Sequence, residues 1–318
     1  MASSNPARRK LLIVVNPHAT SVDRRLRSLV IAALGSRCEV EAVDTKAPGH
    51  ARELARAAVS SGTDAVATLG GDGTLNEAAD ALAGSGIALY PLPGGSQNVF
   101  AKLLGLPSEI VDSTARLLET VDKWQTRQVD LGRANGRAFS FSAGVGLDAS
   151  VVEHVDSNPD RKARLKQWYY VQSGISEYLK GYALRRPRLT VDSGTEEIQC
   201  DTVLIQNGTY FTFAGDRAIS LCEGVSLDSG QLGAALLHLR SPVRAALTAS
   251  RLLASSATPS GGTITQLRSI TGLRARAHDG HELPLQVDGD FAGMHSKVEI
   301  TIEPQVLTVL APPATSLG

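Results

Sequence analysis

The chain is short of the features that mark several large protein classes. Its 318 residues hold three cysteines, Cys38, Cys200 and Cys222. They are odd in number and far apart, so they suggest neither a disulfide framework nor a zinc site and fit a reducing cytoplasm. No apolar run is long enough to span a bilayer, and LLIVV, after MASSNPARRK, is too short for a signal peptide and reads as a first strand. Neither sign of charge is in excess, with Lys+Arg and Asp+Glu at 32 each, which leaves nucleic-acid binding by bulk charge unsupported. There is no Walker A Gly-Lys-Ser/Thr and no GxGxxG, and hydrolase readings lack their nucleophile or metal because GxSxG and HExxH are also missing. These absences leave a soluble or peripheral protein, expected in the cytoplasm or at the inner face of the membrane. Apolar content of 42% and charged content of 20% are ordinary for such a protein, and the length suits two domains with a core each.

The informative stretch is Ala65 to Asn76, AVATLGGDGTLN. It opens with a short apolar run expected of a buried strand, turns through Gly70, Gly71, Asp72 and Gly73, and enters helical sequence at Thr74. Glycines let backbone N–H groups approach an oxyanion closely, and a helix N-terminus favours negative charge. Asp72 is the odd residue there, since a carboxylate beside phosphates is repulsive unless a cation bridges them. It points to a metal nucleotide, or to a carboxylate that orients the reacting groups.

The surrounding chain alternates strand and helix. Leu11–Val15 reads as a strand ended by Asn16-Pro17, Asp23–Leu34 as a helix and Cys38–Val43 as a second strand followed by Asp44-Thr45. His50–Ser60 is a second helix, Thr74–Ala83 a third, and Ile87–Tyr90 a fourth strand, with PLPGGSQN a loop before the helix NVFAKLL. This order implies an α/β domain over 1–125 with parallel strands and helices on both faces. Ligands on such sheets sit beyond the carboxyl ends of the strands, where the Asn16, Thr45, Gly70–Thr74 and Gly94–Asn98 loops emerge, so the domain reads as a nucleotide-binding one. After about Lys123 the pattern changes. Thr126–Arg133 and Arg137–Ala143 around Asn135-Gly136 suit a β-hairpin, and short runs such as RLTV, DTVLIQ, LPLQVD and KVEITIE follow. Residues 126–300 are therefore expected to be an antiparallel β-rich domain with one or two helices, and Val306–Leu310 a final strand before a frayed tail.

With these pieces the chain resembles the diacylglycerol kinase catalytic-domain family, which includes sphingosine and ceramide kinases. The residues that carry the resemblance are Asn16-Pro17, GGDGTLN at Gly70–Asn76, PGGSQNVFA at Pro93–Ala101, GVGLD at Gly144–Asp148 and VDGD at Val287–Asp290. NAD kinases share the first glycine motif but not the second half. The resemblance implies a Rossmann-like nucleotide domain, ATP and Mg2+ as cofactors, and a lipid substrate at the membrane surface. A homodimer is compatible with it, and nucleic acid is not expected. It also implies that the last strand, within 301–318, returns to the first domain.

Carried over by position, Thr45, Gly70, Gly71, Asp72, Gly73, Thr74, Asn76 and Ser96 would contact ATP, while Asn16 and Asn98 would shape the same crevice. The family's catalytic base is a Glu after Val-Asp-Gly, and the matching residue is Asp290, one methylene shorter. The family's structural magnesium falls on a turn that reads Leu227-Asp228-Ser229-Gly230, where Ser229 aligns with the ligand and Asp228 stands beside it. The first loop also diverges, with His18-Ala19-Thr20 in place of the small-residue and glycine pattern.

The implied chemistry is in-line transfer of the ATP γ-phosphoryl group to a lipid hydroxyl, the acceptor being diacylglycerol or a sphingoid-type lipid. In it the glycine loop cradles phosphates, Mg2+ bridges them to Asp72, and Asp290 takes the proton. Two other readings stand beside it: a kinase of a soluble hydroxyl such as NAD, and a nucleotide- or lipid-binding regulatory protein that has lost catalysis. Bland readings apply to single pieces. Asp290 suits an ordinary Asp-Gly-Asp turn, Asp148 suits a helix cap, and the stripe Arg161–Tyr182, with RKARLK at its start, suits a core-facing helix as well as a membrane contact. The patch Arg185–Arg188 reads the same way, and His278–His281 lacks metal-ligand spacing and reads as a hairpin turn.

Overall fold

A computed structural model describes residues 8–19, 23–146, 149–150, 189–215, 217–239, 263–278 and 280–312. The chain divides into two units, Met1–Val129 with Gln305–Gly318, and Asp130–Pro304. Asp148, the basic segment Arg161–Lys166 with Trp168, Tyr169 and Tyr170, and Arg185–Arg188 lie outside the described residues.

In the first unit the chain order is β1 (Lys10–Val15), α1 (Arg24–Gly35), β2 (Glu39–Asp44), α2 (His50–Ser61), β3 (Ala65–Gly70), α3 (Asp72–Leu82), β4 (Ala88–Pro93), α4 (Val99–Leu103) and α5 (Ile110–Lys123). The strands lie in the order β2-β1-β3-β4, all parallel, and Val309 near the chain's end pairs with Leu89 of β4, also in parallel. Every residue of β3 and β4 is buried, as a strand covered on both faces requires. Helix α1 is capped by Asp23, whose Oδ1 accepts from Leu26 N at 2.7 Å.

Two readings of the sequence need correction here. Strand β4 does not stop at Tyr90 but continues through Pro91-Leu92-Pro93. Two prolines fit because Gly94 N, like Ala88 N, donates toward the β3 side, so positions 91 and 93 direct their missing N–H to the opposite side, where the ladder is made at Leu89. Helix α5 is not among the expected elements, although its buried residues Ile110, Thr114, Leu117 and Val121 recur at helical spacing.

The second unit contains the end of β5 (Thr126–Ala134), then β6 (Arg137–Phe139), β7 (Ser142–Gly146), β8 (Leu189–Asp192), β9 (Glu197–Cys200) and β10 (Thr202–Gln206). It continues through β11 (Thr212–Ala214), β12 (Arg217–Ile219), β13 (Leu232–Leu237), β14 (Ile264–Ile270), β15 (Gly272–Ala277), β16 (Leu283–Val287), β17 (Asp290–His295) and most of β18 (Lys297–Leu310). One antiparallel sheet runs β14-β13-β10-β7-β16-β17, and a second joins β18, β15, β8 and β9. Val145, Val203, Ile205 and Leu236 of the first sheet share a core with Val191, Leu273, Ala275 and Ile300 of the second.

The expected hairpin forms at Asn135-Gly136, both at positive φ (48° and 84°), as a type I′ turn needs. Its second arm is shorter than the sequence suggested, because Ser140 and Phe141 leave the strand and the chain crosses to the other sheet at Ser142. The two runs KVEITIE and Val306–Leu310 are one strand, β18, bent at Gln305 (φ 51°).

Candidate functional site

Because β1 to β4 are parallel, their carboxyl ends share one edge, and four loops leave from it. Asn16 N donates to Leu69 O at 2.9 Å, Thr45 N to Val15 O at 2.8 Å and Gly94 N to Gly70 O at 2.9 Å, so the ladder carries on into the loops. The side chain of Asn16 accepts from His18 N at 2.9 Å and donates to Thr74 Oγ1 at 3.3 Å, which joins the first loop to the start of α3. Thr45 is half-buried beside the end of β1, and Ser96 is exposed. Asn76 is buried on α3, 4% exposed.

The two glycine loops touch backbone to backbone. A Cβ at Gly95 would stand 2.7 Å from Gly71 Cα, and one at Gly94 would stand 3.0 Å from Gly70 N. Close approach, not a left-handed backbone, is therefore what demands glycine at these positions. Asn98 does adopt the left-handed region (φ 49°), and its amide closes on Gly95, accepting from Gly95 N at 3.1 Å and donating to Gly95 O at 2.8 Å. Asp72, in the first turn of α3, accepts from Val99 N at 3.1 Å through Oδ2 and from Phe100 N at 3.3 Å through Oδ1. Both carboxylate oxygens thus hold the segment that follows the second glycine loop. The N-cap of α3 is Gly71, which brings no side chain of its own, so the helix starts among close-packed glycines, the kind of setting that suits an anion.

Sequence reasoning missed Glu77. Its carboxylate accepts from Gly49 N at 2.7 Å and Ala51 N at 3.1 Å, capping α2, whose own N-cap is a glycine without a capping side chain. The glycine before His50 was the available signal, since such a helix start needs an acceptor from elsewhere.

In the second unit Asp290 is half-buried as the first residue of β17, paired with Val287 across a two-residue turn. The turn itself is Asp288-Gly289, both at positive φ (49° and 83°), so Asp290 flanks it and does not form it. Asp288 was also missed. Its Oδ2 accepts from Ser140 N at 2.7 Å and Ser140 Oγ at 2.8 Å, and its Oδ1 accepts from Phe141 N at 3.0 Å and Ser142 N at 2.9 Å. These bonds draw Ser140 and Phe141 out of the strand and account for the shortened arm of the hairpin. Burial pushes the Asp288 carboxyl above its ordinary range, and the four donors oppose that shift.

Asp228 is exposed, and its Oδ1 accepts from Ser226 Oγ at 2.7 Å. Ser229 donates to Ser226 O at 2.9 Å and lies 3.3 Å from Gln231 O, while Gly230 N donates to Asp130 Oδ2 at 2.6 Å. Among the described residues no three His, Cys, Asp or Glu side chains converge as metal ligands. A hydroxyl already spent on carbonyls, one exposed carboxylate and the buried Asp130 carboxylate engaged by Gly230 N are a poor donor set for a divalent ion, so no step is routed through a metal there. His278 and His281 lie in the connection from β15 to β16. Asn207 is fully buried, its amide donating to Asp130 O at 3.1 Å and Ser140 O at 2.9 Å.

A parallel sheet with glycine loops at its carboxyl edge, followed by a two-sheet antiparallel unit, defines a class, and comparison with known proteins gives it a family. Residues 10–134 match the diacylglycerol kinase catalytic domain. A diacylglycerol kinase of Mycobacterium tuberculosis is 31% identical over 272 residues, 82% of this chain and 81% of that one. A YegS-like protein of Pseudomonas aeruginosa, described as a probable lipid kinase, is 30% identical over 230 residues, 72% of each chain. Crystal structures of diacylglycerol-kinase-type proteins from Bacillus anthracis superpose with TM-scores of 0.74 and 0.69 at 22% and 19% identity, covering 96% of this chain and 97% of each of those, which establishes the shared fold. The chain belongs to the diacylglycerol kinase catalytic-domain family and is an enzyme of the lipid kinase class. No helix among the described residues is long and apolar enough to cross a membrane.

Proposed function

We propose that this protein transfers the γ-phosphoryl group of ATP to the hydroxyl of a membrane lipid of the diacylglycerol or sphingoid kind. The observation that carries the reading is the pair of interlocked glycine loops at the carboxyl edge of β3 and β4. There the backbone at Gly70–Gly71 and Gly94–Gly95 is bare of side chains and α3 begins at a glycine. Phosphoryl transfer needs positioned donors and neutralised charge more than covalent help from the protein. The Gly70–Thr74 backbone supplies such donors, with Asn16 fixing Thr74 and Asn98 fixing Gly95. Mg2+ arriving with ATP would offset the phosphate charge.

In the reaction the lipid hydroxyl oxygen forms a bond to the γ-phosphorus, the bond from that phosphorus to the bridging oxygen breaks, and ADP leaves. The hydroxyl proton goes to Asp290, which the turn at Asp288-Gly289 presents at the start of a strand. A lipid acceptor brings the protein to a membrane surface.

The test is transfer of labelled γ-phosphate from ATP–Mg2+ to mixed micelles of diacylglycerol, monoacylglycerol, sphingosine or ceramide, with NAD as the soluble control. Label on a lipid supports the reading and names the acceptor. Label on NAD alone replaces it with a soluble-acceptor kinase. Nucleotide binding without any transfer points to a regulatory protein. Asp290→Asn should lower transfer by about 100-fold or more while nucleotide affinity is kept. An unchanged rate would remove Asp290 from the role of base.

A further inference from the structure

We infer that Asp72 is a positioning residue: its carboxylate fastens the second glycine loop against the first, and nucleotide affinity depends on that fastening and not on a bond from Asp72 to a metal. The inference rests on the nucleotide reading given above.

Three observations meet at this side chain. Its two oxygens each receive a backbone N–H, from Val99 and from Phe100, the first two residues of α4. Those N–H groups begin a helix of one turn and a half, whose N-cap, Asn98, makes no cap bond because its amide is occupied with Gly95. A helix start of this kind needs an acceptor from elsewhere, and Asp72 is the one the fold supplies. The loops that Asp72 ties together are also in van der Waals contact at Gly71 and Gly95, where a Cβ would stand only 2.7 Å from Gly71 Cα. Asp72 and Asn98 therefore grip one segment from its two ends. Asn98 shapes the Gly94–Asn98 loop from within, and Asp72 holds the residues just after it from α3.

If either grip is released, the loop is free to move from Gly71, and the cradle of N–H groups loses its form before any phosphate arrives. Pre-formed donors are what make such a cradle effective. The expected cost is in binding nucleotide of every kind. A metal-bridging carboxylate would instead matter only when the metal is present.

The experiment measures ATP and ADP affinity by calorimetry on the full chain, in excess Mg2+ and in EDTA, for the wild type, Asp72→Asn, Asn98→Ala and the double variant. Asparagine at 72 keeps one acceptor and turns an NH2 toward the other N–H. The expected result is a loss of about tenfold in affinity for Asp72→Asn, of similar size with and without Mg2+. The double variant should lose less than the product of the two single losses, because both act on one loop. Lipid KM should stay within about twofold of the wild type, which a general loss of structure would not allow. Should Asp72→Asn fail to fold, Asp72→Ser, whose hydroxyl can accept one N–H, is measured in its place, with a smaller loss of the same metal-independent kind.

A loss confined to Mg2+, or strictly multiplicative effects of the two substitutions, would overturn the inference. A wild type that binds neither nucleotide would overturn the kinase reading itself, and this inference with it, whereas intact nucleotide binding with a metal-dependent Asp72 defeats the inference alone.

Discussion

Asp72 in the first unit and Asp288 in the second do the same work in unlike surroundings. Each sits beside a glycine in a turn and accepts main-chain N–H groups from a segment distant in sequence, Val99–Phe100 for one and Ser140–Ser142 for the other. Asp72 is half-buried, whereas Asp288 is 7% exposed. Where water has access, donors released by a lost carboxylate are rehydrated, so the cost falls on the shape of a loop. Where it does not, they stay unpaired and the cost falls on folding. The first unit thus carries an organiser whose loss should show in function, and the second one whose loss should show in stability.

The sharpest way to break that comparison is the same substitution at both sites. Asparagine tolerates the left-handed backbone of residue 288 (φ 49°), so Asp288→Asn changes the acceptors and leaves the turn geometry acceptable. An NH2 facing two of the four buried donors should cost about 4 kcal/mol, read from urea unfolding. Asp72→Asn should cost under about 1 kcal/mol in the same experiment. Equal losses at both sites would remove the distinction.

The next effect separates the units by pH. Burial raises Cys200 from 9.0 to about 12 and Cys222 from 9.0 to about 11, both in the second unit, and raises Tyr90 in the first unit from 10.0 to about 12. Each group is neutral when protonated and harder to ionise folded than unfolded. Its contribution is therefore complete below the unfolded pKa and is lost as pH rises through the window up to the folded one. For the thiols the loss begins near pH 9, at about 1.4 kcal/mol per pH unit per thiol, and for Tyr90 one unit higher. Burial raises the Cys38 thiol of the first unit as well, so denaturant midpoints between pH 8 and 11 should fall for both units, and more steeply for the second, which holds two such thiols. Cys200→Ala should flatten that slope while lowering stability at pH 8, and an unchanged slope would show that the thiol is not the sensor.

How much of this could be read from the sequence differs between the units for a physical reason. In the first unit the strands are continuous apolar runs and the loops are short. Periodicity and glycine placement were therefore enough to bring Asn16, Thr45, Gly70–Thr74 and Gly94–Asn98 to one edge, where the structure also has them. The pattern showed which residues stand together but not what they bond. Asp72 and Glu77 each make contacts 26 to 28 residues away, with backbone groups that no motif encodes. In the second unit the determining contacts are longer still. Ser140 leaves its strand because of a carboxylate 148 residues on, and the single strand β18 looked like two because Pro304 and Gln305 interrupt its apolar pattern. Local pattern fails where a distant side chain decides whether a backbone N–H stays in the ladder.

The smallest expected effect concerns the turn at Ser226–Gln231, and it tests whether the second unit is organised by its own side chains or by a bound ion. Ser229 donates its hydroxyl to Ser226 O at 2.9 Å, with Gln231 O at 3.3 Å, a bond that a carboxylate could not make. If that hydroxyl closes the turn, the wild-type melting temperature should be the same within about 1 °C in EDTA and in Mg2+. Ser229→Asp would set a negative group against carbonyl oxygens. It should lose about 1 kcal/mol in EDTA and regain part of it in Mg2+, since a divalent cation relieves repulsion among oxygen ligands. A wild type that melts several degrees lower in EDTA would mean that the turn depends on an ion and not on its own side chains.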